Sequence, residues 1–260
     1  MLVGLSLLVI IGVVAIGLFV RDEKVDPRTG CPVGHAVASA HTIILIDETD
    51  HLSPDELRYA HDLVMTEYLW LPIGGRLTVR NIISDPNAAE DIVVCRIDDG
   101  SKVLGISKNQ RKARQEFDRI AGARLDELFA MLEAAPAEEF SPILEFISAA
   151  LDRPDFGSAL EKRRLVILSD MAQHSDLMSQ YGQRAGPVLD RDVREFLRRE
   201  MSRVAVRIHY VSRRKLSGLQ GDRHRAFWTS YLRGMHADVA IGHDFLIGEE
   251  PGTEIYHDDS

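Results

Sequence analysis

The sequence predicts an α/β domain, a doubly wound, mostly parallel central sheet with helices on both faces, preceded by one transmembrane helix. Three observations carry this expectation. Short apolar, β-branched runs such as residues 41–46 (HTIILI) and 164–168 (RLVIL) read as strands covered on both faces. Patterns of helical period alternate with them, which makes successive strands parallel and the helices their crossovers. Finally, residues 2–20 carry no charge and only one hydroxyl side chain, Ser6. At about 1.5 Å per residue that run is roughly 28 Å long, close to the hydrocarbon thickness of a bilayer.

The apolar run fits an uncleaved anchor better than a signal peptide. No Lys or Arg precedes it, and Arg21, Asp22, Glu23 and Lys24 follow it directly, whereas a signal peptide has a basic leader and a small-residue cleavage site. Gly4, Gly12 and Gly17 are tolerated in lipid and permit close helix packing. Arg21, Lys24 and Arg28 lie just after the span, so the positive-inside rule places the soluble part in the cytoplasm. Residues 21–37, with Pro27, Gly30, Pro32 and Gly34, read as a linker. Residues 38–246 form the domain, and 247–260 an acidic tail.

Within the domain the elements follow in order. A strand over 41–46 ends at Asp47. Ser53-Pro54-Asp55-Glu56 then starts a helix, with a hydroxyl cap, proline in the first turn and acids beside the positive end of the dipole. That helix runs to Trp70, which reads as a packing residue, as does Trp228. Strands follow at 75–82 and 91–97, and a long helix at 107–134. A helix at 141–151 has Ser141 as its cap and Pro142 at its first position. Then come a strand at 164–168, a helix at 190–201, a strand at 204–211, a helix at 222–233 and a strand at 237–241.

Composition narrows the function. The formal charge of −9 and a pI near 5.6 argue against broad nucleic-acid binding, so no nucleic-acid partner is expected. The run Arg213-Arg214-Lys215 reads as a solvated loop. Cys31 and Cys95 have no metal-ligand spacing, and whether they pair is not legible from sequence; Cys95 lies in an apolar run and reads as packing. The histidines, His51 and His174 included, show no ligand spacing. There is no Walker phosphate loop, Gly-x-Ser-x-Gly elbow or His-Glu-x-x-His motif, so no particular enzyme is indicated.

Ligands of such sheets sit beyond the carboxyl ends of the strands, where strand order reverses. Two strand ends offer polar chemistry there, Asp47-Glu48-Thr49-Asp50-His51 and Ser169-Asp170, and Ser141-Pro142-Ile143-Leu144-Glu145 opens a helix between them. Carboxylate and hydroxyl oxygens at loop tips suit a hard cation such as magnesium. Each residue also has an ordinary explanation, Asp47 and Asp170 as turn residues and Ser141 as a helix cap.

In element order, and in these three segments over residues 38–246, the chain resembles the von Willebrand factor A domain and its metal-ion-dependent adhesion site. That family has Asp-x-Ser/Thr-x-Ser after its first strand, a Thr or Ser before a helix, and an Asp after its fourth strand. Asp47 and Thr49 match the first motif, Ser141 the second and Asp170 the third. His51 departs from the pattern, standing where a second serine is expected, and imidazole is a poor magnesium ligand. The resemblance implies bound Mg2+ or Mn2+ at Asp47, Thr49, Ser141 and Asp170. It also implies a protein-binding or assembly module in a membrane complex, whose partner supplies a carboxylate. That partner is another subunit, a second copy of this chain or an acidic peptide. Asp47-Glu48-Thr49-Asp50-His51 also looks like the aspartyl-phosphate motif of haloacid-dehalogenase-type phosphotransferases, with Asp47 as nucleophile. That alternative lacks a downstream acidic metal motif, because Gly221-Asp222 has no second acid suitably spaced.

Overall fold

The computed structural model describes residues 25–33, 38–99, 110–134, 138–181 and 188–242. The expected membrane helix over 2–20 and the acidic tail lie outside the described residues. Among the described residues, no helix is long and apolar enough to cross a membrane.

Among the described residues, six strands form one sheet: β1 (Ala40–Asp47), β2 (Arg76–Ile82), β3 (Asp91–Cys95), β4 (Lys162–Ser169), β5 (Val204–Tyr210) and β6 (Asp238–Ile241). Their order is β3-β2-β1-β4-β5-β6. All neighbours are parallel except β2 and β3, which are antiparallel, with Arg76 opposite Cys95 and Arg80 opposite Asp91. Strand order reverses between β1 and β4, so those two carboxyl ends flank the switch point.

Alternation along β1 divides the core. Ile43 and Leu45 point to one face, Ile44 and Ile46 to the other. The first face is covered by α4 (Ile143–Leu151), α5 (Arg191–Leu197) and α6 (Asp222–Arg233), through residues such as Phe146, Leu197, Trp228 and Leu232. The second is covered by α1 (Pro54–Trp70), α2 (Gln110–Phe117) and α3 (Ala123–Ala134), through Val64, Tyr68, Leu125 and Leu128. A π turn, Asp118–Gly122, joins α2 and α3 where the sequence reads as one unbroken helix.

Local chemistry explains several boundaries. Ser53 and Glu56 close a reciprocal capping box at α1, each side chain bonding the other residue's backbone N–H. The α4 boundary differs from expectation. Helix α4 begins at Ile143, Ser141 makes no cap, and its backbone pairs with His174 instead. Helix α5 is also shorter than expected, ending at Leu197. Trp228 is fully buried as expected, but Trp70 is half exposed in the last turn of α1.

Residues 25–33, which read as linker, are tied to the domain. Cys31 and Cys95 form a disulfide, so Cys95 does more than pack. Val25 bridges Pro32, and the Cys95 N–H donates to the Thr29 carbonyl at 2.8 Å. Gly30 takes φ +69° within this turn, and a Cβ there would lie 2.9 Å from Ile97 Cγ2. Only glycine allows so close an approach in that conformation.

Candidate functional site

Asp47 ends β1 at the switch point and is buried. Both its oxygens are engaged. Oδ1 accepts from the Thr49 N–H at 3.2 Å and from Thr49 Oγ1 at 2.7 Å, an Asx-type turn that folds the loop back over the strand end. Oδ2 accepts from Ser141 Oγ at 3.1 Å and from Ser169 Oγ at 2.6 Å. Three chain segments thus meet on one carboxylate. Ser141 is free to do so because it is held in an extended bridge with His174, with backbone bonds of 2.8 and 2.9 Å.

Asp170, the fourth expected residue, is buried beside this cluster. Its Oδ1 accepts from the Ala172 N–H at 2.9 Å, and its Oδ2 lies 3.9 Å from Arg213 Nε. Burial, reinforced by the charge of Asp47, pushes its pKa up to about 7. The turn behind it is unusual, since Met171 takes φ 60°, rare for a residue with a side chain. Ser169 Oγ accepts the Met171 N–H at 2.7 Å, and the Met171 carbonyl accepts the Trp228 indole N–H at 2.9 Å. Trp228 belongs to a buried polar network with His224, Gln180 and Tyr210, which fixes the strand end from below.

Glu48 is also buried. Burial, with the charge of Asp47 second, raises its pKa to about 8. It pairs with Asn81, whose amide N–H donates to Oε2. Among the described residues, Glu48 Oε1 and Asn81 Oδ1 are both buried without a partner. A proton on Oε1 would donate to Oδ1 and close an acid–amide pair satisfying both atoms. The neutral acid is the form this pocket favours.

Sequence reasoning missed the loop after β5. Arg213 bonds Glu56 Oε1 at 2.6 Å while lying against Asp170, and Lys215 bonds Asp50 at 2.5 Å. Gln220 shapes this loop, donating to the Asp170 and Val211 carbonyls and accepting the Arg213 N–H. The run 213–215 is therefore part of the acidic cluster's surroundings. Its place just past the carboxyl end of β5, the strand beside β4, was the available signal. Ser169 was missed as a donor although it adjoins Asp170. His51 is exposed.

The donor set fits a hard cation. Asp47 and Asp170 supply carboxylates; Thr49, Ser141 and Ser169 supply hydroxyls. Each hydroxyl gives its proton to Asp47; Thr49 and Ser141 keep lone pairs available to a metal, and Ser169, which also accepts the Met171 N–H, keeps one. Among the described residues, no group of three or more His, Cys, Asp or Glu is placed to hold a metal. A cation here would accordingly depend on hydroxyl and water oxygens beside two carboxylates. Covalent phosphate chemistry at Asp47 finds less support, because both oxygens carry donors and Lys215 is occupied by Asp50.

No family model matches the chain, and no curated protein matches it. Two solved structures are similar in outline. One is the conserved hypothetical protein BatB of Bacteroides thetaiotaomicron, at TM-score 0.37 and 14% identity, covering 68% of this chain and 68% of that one. The other is an aerotolerance-related membrane protein of Bacteroides fragilis NCTC 9343 carrying multiple mutations to serine. It has a TM-score of 0.37 and 9% identity, covering 78% of this chain and 89% of that one. Likenesses this distant carry no argument about function.

Proposed function

We propose that this chain is a membrane-anchored protein-binding or assembly module of von Willebrand A type. Its cluster at Asp47, Thr49, Ser141 and Asp170 holds Mg2+ or Mn2+ and engages a carboxylate of a partner subunit. The observation that carries the reading is the meeting of Thr49, Ser141 and Ser169 on the Asp47 carboxylate, with Asp170 buried alongside. Two buried carboxylates beside hydroxyl donors gain from a divalent ion, and an incompletely coordinated ion in turn prefers an anionic oxygen. The chain's own residues bind and orient; no reaction is assigned to them.

The anchor reading rests on the uncharged run 2–20. The Cys31–Cys95 disulfide favours placing the domain on an oxidising side of the membrane. This runs against the cytoplasmic placement expected from Arg21, Lys24 and Arg28, where the charge bias is small.

Titration of Mn2+ followed by electron paramagnetic resonance tests the site. One ion per chain should bind the wild type, and Asp47→Ala should abolish binding while circular dichroism stays unchanged. Equal binding by wild type and variant refutes the site. Beryllium fluoride protecting the wild type through Asp47 would instead favour the phosphotransferase alternative.

A further inference from the structure

The ends of the sheet differ in character. At the end opposite the candidate site lie the first residues of β1, β2, β4 and β5, and the last residue of β3. The pairs Ala40–Lys162, His41–Arg76, Arg163–Val204 and Arg76–Cys95 gather there. The disulfide and the Thr29–Cys95 backbone bond fix residues 25–33 to this same end.

Chain length then becomes a constraint. Val25 is held by its bridge to Pro32, and only residues 21–24 separate it from Val20, the last residue of the apolar run. Even fully extended, that connection reaches only about 18 Å. If residues 2–20 span a bilayer, this end of the domain is held within about 18 Å of the lipid surface.

The surface there suits such a neighbour. Val25, Val33, Leu69, Trp70 and Ile73 are most of the large hydrophobic side chains exposed among the described residues. Ile73 is 69% exposed, Val33 59% and Trp70 50%. Pro32 lies beside Gly74, which brings the tether turn against the segment that follows α1. Scattered exposed apolar residues need no explanation, but a gathered set marks an interaction site. Tryptophan favours the headgroup region, where its ring is shielded and its N–H stays wet. Trp70 borders an open cleft of about 650 Å3 whose lining basic groups, Lys162, Arg163, Arg164 and Arg203, outnumber its acids, Glu67, Glu161 and Asp238. Arg164 lies over the Trp70 ring at 5.9 Å and also holds the buried Glu67. Basic groups beside an interfacial tryptophan complement anionic lipid headgroups.

We propose that this end of the domain docks on the bilayer in which the chain is anchored. Leu69, Trp70 and Ile73 enter the headgroup layer, and Lys162, Arg163 and Arg203 face anionic phospholipid. The proposal rests on the anchor reading above. Its consequence is an orientation: strands of this length hold the Asp47 cluster ~25 Å from the lipid, facing the aqueous phase.

The test uses full-length protein in vesicles containing anionic phospholipid, prepared with ordinary or brominated acyl chains. The chain has two tryptophans, Trp70 and the fully buried Trp228. Brominated lipid should lower the wild-type emission, and Trp70→Phe should lose that quenching while still floating with the vesicles. Flotation without quenching overturns the docking and leaves the anchor standing, as does docking of this face onto a second copy seen by Trp70-dependent crosslinking. Quenching that survives in Trp70→Phe also overturns it. Failure of the wild type to float overturns the anchor reading and the docking together.

Discussion

Replacing Asp170 by asparagine should make the metal-free domain more stable at alkaline pH, although it removes a buried charged group. Asp170 has its carboxyl raised from 3.8 to about 7, by burial first and by Asp47 second. A carboxyl whose folded pKa lies above its unfolded value favours the folded state fully below the unfolded pKa. That advantage is lost as pH rises through the folded value. The contribution of Asp170 should thus fall between about pH 4 and pH 7, by up to ~1.4 kcal/mol per pH unit, for a loss of roughly 4 kcal/mol relative to the variant at pH 8. Asparagine has no charge to lose and retains an oxygen for the Ala172 N–H, at the cost of the long contact with Arg213. In EDTA at pH 8 the variant should gain stability, while at pH 4 the two proteins should differ little. Magnesium should narrow that gap. At about a hundred times Kd an ion adds ~2.7 kcal/mol to a protein that binds it only when folded, and Asp170→Asn lacks one of the two carboxylates. Urea unfolding of a truncation beginning at Val25, across pH with EDTA or magnesium, measures all of this. A difference between wild type and variant that stays constant from pH 4 to pH 8 refutes the burial argument. Equal magnesium stabilisation of both proteins refutes the shared site.

Glu48→Gln should change stability by less than about 1 kcal/mol at pH 7, because glutamine reproduces the neutral acid's pairing with Asn81, whereas Glu48→Ala should cost ~2 kcal/mol by leaving a buried amide unpaired. Chemical unfolding of the two variants decides it, and comparable losses in both would count against a neutral Glu48. Intact-mass measurement of protein taken from membranes without reductant should find Cys31 and Cys95 joined. Replacing both by serine should cost about 4 kcal/mol, the loop-closure entropy expected for a sequence separation of 64. A truncation beginning at Ala36 should show a similar loss relative to one beginning at Val25, and equal stability of the two would mean that residues 25–33 contribute nothing to the fold.

The elements were legible where their signals are local. Ser53, Pro54 and Glu56 specify the start of α1 within four residues, and Asp222–Arg233 matches its expected bounds. The direction of β3 was not legible, since Asp-Ile-Val-Val-Cys alternates identically whichever way it runs. The disulfide was hidden for a related reason, because the antiparallel turn of β3 is what returns Cys95 to the end of the sheet where Cys31 is held. At the site, the residue types were readable but their partners were not. Ser141-Pro142 carries every mark of a helix cap, yet the hydroxyl serves a carboxylate ninety-four positions away. A cap bond to an exposed N–H is worth ~1 kcal/mol. A charge-assisted bond to a buried carboxylate is worth up to ~3 kcal/mol, and losing it leaves that charge short of a partner. Arg213 and Lys215 follow the same logic: a basic run is solvated by default, until a neighbouring strand end presents Glu56, Asp170 and Asp50 to it. Local pattern fixes where a strand stops. Which groups then share its end depends on the strand order, and that order places Asp47 and Asp170 side by side at the switch between β1 and β4.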